Sequence, residues 1–179
     1  MKISVKGLTR SPEDHLRRKL TKELIEFVVD RFVSNGVKRK VFVEVAYNDY
    51  DISDCIWEDD NHRPREFSVN LSKNQNILDQ LSNIAHEAVH IKQWVNGELV
   101  TGMGPNTHGR MKWHGEWTDY HLKSKNPKDY WESPWEIEAY GRERGLVVMF
   151  LHEKGIKEHD MREEWFNSLD ENFLKKLLD

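Results

Sequence analysis

Apolar residues recur at helical spacing along four stretches of the chain and alternate along two more, and these patterns predict its elements. Leu16, Leu20, Leu24, Phe27, Val28 and Phe32 mark one stripe of a first helix. Ser11 supplies a hydroxyl N-cap, Pro12 suits the first helical position, and Glu13 and Asp14 favour the first turn. Gly36 is expected to end this helix. Residues Lys40–Tyr47 alternate Val41, Val43 and Val45 against Phe42, Glu44 and Ala46, the signature of a strand with one buried face. Asn48–Arg65 is polar, rich in Asp and Asn, and reads as a solvated loop; its acids lack the glycine and terminal glutamate of an EF-hand. Glu66–Leu71 reads as a second strand, with Phe67, Val69 and Leu71 on one side.

The strongest helical pattern follows. Ile77, Leu78, Leu81, Ile84, Ala85, Ala88 and Val89 place a helix within Asn76–Gly97, closed by Asn96-Gly97, a left-handed stop. Residues 98–130 show no sustained period and read as an irregular His-, Trp- and Gly-rich insertion. Within them Arg110–Tyr120 fits a short hairpin or an ordered loop turning at His114-Gly115. Ser133-Pro134 restarts a helix that carries Ile137, Ala139, Tyr140, Leu146, Val147, Phe150 and Leu151 and ends at Gly155. Asp160 and Glu163 resemble a capping box opening a last helix with Met161, Trp165, Leu169, Phe173, Leu174 and Leu177. The expected class is α+β: an N-terminal backing helix, a small sheet and three further helices, forming one domain over residues 1–179.

Composition narrows what such a chain does. Its net charge of −4, with 32% charged residues of both signs interspersed, argues against a partner such as nucleic acid or an anionic membrane. The mean hydropathy of −0.80 is low, but seven Trp, seven Phe and five Tyr offer large burial per residue. One cysteine, Cys55, forms no intramolecular disulfide and gives no sign of an oxidising compartment. The first residues lack the apolar core of a signal peptide, and no run approaches membrane-spanning length. The chain reads as soluble and cytoplasmic.

Within the central helix stands His86-Glu87-Ala88-Val89-His90. Residues four apart share a helix face, so both imidazoles can serve one metal ion, and Glu87 at the next position can reach a water bound there. With nine histidines in 179 residues, chance supplies this pattern only about four times in a hundred such sequences. Catalytic metal sites usually take three protein ligands and keep a position open for water. A third ligand must come from elsewhere, and Pro134-Trp135-Glu136-Ile137-Glu138-Ala139, at the start of a helix, is the place to look. Glu136 and Glu138 lie about 200° apart around that helix, so they should not both face one metal.

These motifs resemble those of the gluzincin-type metallopeptidases, in which an H-E-x-x-H helix is completed by a glutamate from a downstream E-x-x-A helix. By that resemblance Glu136 is the third ligand, with Ala139 small enough to let the helices approach. Glu138 is then a runner-up, an exposed acid, or a group holding one of the histidines from behind. The layout is also similar to that of SprT-like minimal zincins, and the Pro134–Glu143 segment to one met in small, often phage-encoded proteins read as peptidases. The resemblance implies a minimal zincin-like fold over roughly Val41–Leu151 and a zinc-dependent peptidase. The residues after His90 lack the extended metzincin pattern, which excludes that branch.

The resemblance assigns zinc to His86, His90 and Glu136 and the general-base role to Glu87. A further donor must stabilise the oxyanion. His108, His114, Tyr120, His121, Tyr130 and Tyr140 form the pool, and the expectation falls on the loop residues His114 and Tyr120. A peptide or protein substrate is expected to lie extended along a sheet edge, at Glu66–Leu71 or its neighbour. The competing readings are a zincin-fold module that binds a partner or regulates it, and a zinc hydrolase of some other amide. An intact Glu87 speaks against a purely structural site.

Overall fold

The chain starts in the larger of two sheets, in a strand that the sequence reading did not include. The computed structural model describes residues 1–156 apart from 52, 105 and 122–125. Strand β1 (Lys2–Lys6) pairs in parallel with β2 (Phe42–Asn48), Ile3 opposite Val43 and Val5 opposite Val45. Parallel neighbours need a crossover, and helix α1 (Pro12–Phe32) provides it. The Ser11 hydroxyl accepts a hydrogen bond from the Asp14 amide at 3.1 Å, so the helix opens at the expected cap. Gly36 does not end it. The backbone leaves the helix at Val33 in an extended conformation, and Gly36 falls inside the one-turn helix α2 (Asn35–Lys38).

Strand β2 pairs in parallel on its other side with β4 (Glu66–Ser72), and β3 (Asp54–Trp57) lies antiparallel outside β4. The order is therefore β1-β2-β4-β3. The expected loop at 48–65 thus contains an edge strand, whose half-buried Asp-Cys-Ile-Trp gives no clear alternation. Val43, Val45 and Tyr47 of β2 and Phe67, Val69 and Leu71 of β4 are buried, while Glu44, Ser68 and Asn70 on the opposite face are only half covered. One face meets the helices, where the Tyr47 hydroxyl bonds Thr21 of α1 at 2.8 Å.

Helix α3 (Ile77–Asn96) crosses this layer. Its Asn76 cap accepts from the amides of Leu78 and Asp79 at 3.0 Å, and Gly97, at φ 72°, takes the left-handed position that ends it. Arg63 packs so close to Gly97 that a Cβ there would meet its Nε at 2.7 Å. The stretch that read as irregular holds a second sheet, and the short hairpin that fits Arg110–Tyr120 is part of it. Strands β5 (Leu99–Thr101), β6 (Arg110–Trp113) and β7 (Glu116–His121) make a three-stranded antiparallel sheet. The β6–β7 hairpin turns at His114 (φ 47°) and Gly115 (φ 90°), two left-handed residues whose twist suits the flanking strands.

A short helix α4 (Pro127–Trp131) leads into α5 (Pro134–Glu153), which packs on α3, and Gly155 (φ 80°) follows its end. Among the described residues the chain is an α+β fold of five helices and two small sheets, and no helix is long and apolar enough to cross a membrane. The expected helix around 160–177 lies outside the described residues.

Candidate metal centre

Helix α3 presents His86 and His90 one turn apart, with their Nε2 atoms 3.1 Å from each other. The first turn of α5 brings Glu136 against both. Its Oε2 lies 3.2 Å from His86 Nε2 and its Oε1 3.4 Å from His90 Nε2. The three side chains are buried, and one ligand atom from each lies within 4.8 Å of the others. Ala139, fully buried one turn beyond Glu136 on α5, keeps the bulk there small. The three residues therefore form a group able to hold a metal ion.

The outer ring nitrogens decide what the inner ones offer. His86 Nδ1 lies 2.9 Å from Oε2 of Glu143, and His90 Nδ1 lies 2.8 Å from Oε1 of Gln93. Both partners are acceptors, so each Nδ1 carries the hydrogen when the ring is neutral. Each Nε2 then turns a lone pair inward. Glu136 Oε2 is fully buried with no donor aimed at it. Three lone-pair atoms thus converge without a hydrogen among them, an arrangement that repels itself unless a proton or a cation is shared. Two imidazoles and a carboxylate suit zinc and related divalent metals.

Protons meet that need in the metal-free chain. Burial works to lower the His86 pKa, but Glu136 and Glu143 outweigh it and raise the value to about 9. Burial works to raise Glu136, yet the facing imidazoles hold it down to about 2. A metal competes with protons at this centre.

Glu87 stands outside the ligand set. It is buried, and burial lifts its carboxyl to about 7 against the opposing pull of His90 and His86. Its charge helps, after burial, to push the Cys55 thiol of β3 upward, and Asp54 of β3 adds to the rise at Glu87. Glu87 thus lies on the side of α3 that looks toward β3. Strand β4 is paired on both sides and offers no edge; among the described residues it is β3 that pairs with β4 alone. The edge beside the centre is the neighbour of Glu66–Leu71, not that strand itself.

The remaining expectations separate. Glu138 turns from the triad and bonds Lys92 and Arg142, each at 2.8 Å. His114 sits exposed on its turn against Trp113, and Tyr120 packs edge-on to Trp135. Among the described side chains, Tyr140 and Tyr130 are the pool residues shown beside the triad. The Tyr140 ring meets His86 edge-on at 4.4 Å, and its hydroxyl lies 3.4 Å from that of Tyr130. Burial, Tyr140 and Glu136 all push the Tyr130 phenol above its ordinary value, which keeps it protonated. Gln93 and Glu143 were missed by sequence reasoning, although each had a signal. Gln93 is three residues past His90 on one helix, and Glu143 is two turns past Glu136, on the same face. The chain matches no protein-family model, no curated protein and no solved structure.

Proposed function

We propose that the protein is a zinc-dependent peptidase with His86, His90 and Glu136 as ligands and Glu87 as general base. The observation that supports this most directly is the pairing of a three-ligand group with a buried carboxylate that the group does not use. A purely structural metal site has no need of Glu87. Bound zinc supplies acidity to a water and polarises a carbonyl.

The chain's own residues do the rest. Glu87, buried beside the ligands and not one of them, is poised to take a proton from water and pass it to the leaving amine. The hydroxyls of Tyr130 and Tyr140 adjoin the ligands and take the place of His114 and Tyr120 as donors for the oxyanion in this reading. The edge of β3, which among the described residues pairs with β4 alone, gives an extended substrate backbone its hydrogen bonds.

The test is Glu87→Gln in a protein loaded with one zinc per chain, assayed on a library of quenched fluorescent peptides. The expected result is retained zinc with turnover lowered by at least about a hundredfold. Wild-type turnover in that variant overturns the mechanism. A wild type that holds zinc and cleaves no peptide overturns the substrate class.

A further inference from the structure

We infer that Gln93 and Glu138 form a positioning relay that fixes the tautomer of His90 and so aims its Nε2 at the metal. The inference rests on the metal-site reading above and does not need the peptidase reading. It starts from an ambiguity in the side chain of glutamine, whose amide offers an acceptor at one end and a donor at the other. Facing His90, the two orientations have opposite effects. An oxygen turned to Nδ1 demands a hydrogen there and leaves Nε2 free to ligate; an NH2 turned to Nδ1 demands a lone pair and places the hydrogen on Nε2, where it blocks the metal.

Two acceptors on α5 resolve the choice. Gln93 Nε2 donates to the Trp135 carbonyl at 2.9 Å and to Glu138 Oε2 at 3.0 Å. A flipped amide would set its oxygen against a carbonyl and a carboxylate, with Gln93 fully buried from bulk solvent. Oε1 is therefore committed to His90 Nδ1, at 2.8 Å.

The relay keeps its polarity because Glu138 is surrounded by donors: Lys92 Nζ and Arg142 Nε at 2.8 Å beside Gln93 Nε2 at 3.0 Å, so it meets the amide as an acceptor. Lys92 is itself buried and bridges Glu138 at 2.8 Å and Glu98 at 2.6 Å. Glu138 is thus neither the third ligand nor an idle surface acid. It is a positioning residue that acts on His90 through Gln93.

The experiment uses the whole chain, with zinc as the probe. Zinc affinity is measured by competition with a chromophoric chelator, and the His90 tautomer is read in the metal-free protein at alkaline pH by long-range 15N–1H NMR. Gln93→Leu is expected to weaken zinc by about 10–100-fold and to turn His90 from one tautomer into a mixture. Glu138→Ala, which leaves only the Trp135 carbonyl to orient the amide, shifts both readouts the same way by less.

Gln93→Glu alone puts two carboxylates and a carbonyl together, and should weaken zinc and lower the melting temperature. Adding Glu138→Gln returns one carboxylate and one amide to the pair and is expected to recover most of the zinc affinity. Zinc affinity within twofold of wild type in Gln93→Leu, or an unchanged His90 tautomer there, overturns the relay. So does a double exchange that binds no better than Gln93→Glu alone. The tautomer needs neither zinc nor substrate, so the relay can fail or hold independently of turnover.

Discussion

His86 and His90 occupy equivalent places one turn apart on α3, yet the two rings are held by different chemistry. His86 is steadied by a carboxylate, Glu143, whose side chain is 22% exposed. Glu143 also lines a cavity of about 440 Å³, together with Gln75, Asp79, Asn83, Arg144 and Val147. His90 is steadied by a neutral amide, Gln93, that is 0% exposed and tied into a buried charge cluster. A carboxylate partner makes its imidazole more basic and lets acid, salt and solutes in the cavity influence it. An amide partner fixes direction without adding charge. The difference teaches that one ligand arm is open to the medium and the other is insulated from it.

The largest effects should ignore that difference. His86→Ala and His90→Ala are each expected to lose zinc in elemental analysis and to abolish the rise in melting temperature that zinc gives the wild type. If one of them kept a full equivalent, the two rings would not be equal partners.

The next effect separates the arms. Glu143→Ala should weaken zinc by about 10–100-fold. Glu143→Gln keeps an acceptor for His86 but removes the charge. It should weaken zinc less and bring the metal-free His86 titration down from about 9 toward 6.5, as followed by NMR. A His86 titration unmoved by Glu143→Gln would remove the basis for calling that arm electrostatic.

Proton linkage gives a third measurement, smaller and graded. In the metal-free chain Glu136, at about 2, contributes stability that is present above its ordinary value of 4.5 and lost as pH falls toward 2. Glu87 at about 7 and His86 at about 9 bind their protons more tightly folded than unfolded. Stability from these groups therefore declines as pH rises from 4.5 to 7 and again from 6.5 to 9. Thermal melts of metal-free protein should show this summed contribution greatest at about pH 4.5 and falling toward 9, and saturating zinc should offset the alkaline fall. A zinc-loaded protein with the same alkaline decline would contradict competition between metal and protons at the centre.

The smallest effect lies off both arms. His114→Asn, at an exposed left-handed position that asparagine tolerates, should leave zinc affinity unchanged and shift stability by no more than about 0.5 kcal/mol. A loss of zinc there would bring His114 into the ligand shell.

Much of this arrangement could be read from the chain. Helix α3 announces itself through its apolar spacing, its asparagine cap and its glycine stop, because all three are local signals. Strands β2 and β4 show through strict alternation. Strands β1, β3, β5 and β6 are three to five residues long, too short for period to separate them from loop, and their pairing is decided by partners remote in sequence. Glu136 was singled out by the resemblance of Glu136–Ala139 to an E-x-x-A element, while helical angle showed only that Glu136 and Glu138 should not both face one metal. The donors were harder. Tyr140 and Glu143 share the Glu136 face of α5, but only the docking of α5 on α3 shows that this face meets His86. His114 and Tyr120 drew attention because aromatic and histidine residues are dense around them, and that density serves packing against Trp113 and Trp135.

Helix α5 supplies Glu136 and Glu143 to the histidines and the Trp135 carbonyl and Glu138 to Gln93, so among the described residues the hydrogen-bonding and ion-pair partners that reach His86 and His90 from outside α3 come from this one segment. Such concentration makes the centre an all-or-none latch. Before α5 docks, neither imidazole has its orienting arm complete and no third ligand is at hand, so a firm grip on metal should come late in folding. A metal held by His86, His90 and Glu136 would fasten the two helices, whose hydrogen-bonded residues His86 and Glu143 stand 57 positions apart in the chain. Zinc uptake during refolding then becomes a clock for the meeting of α3 and α5, and a chain ending before Pro134 should retain two histidines without a metal site.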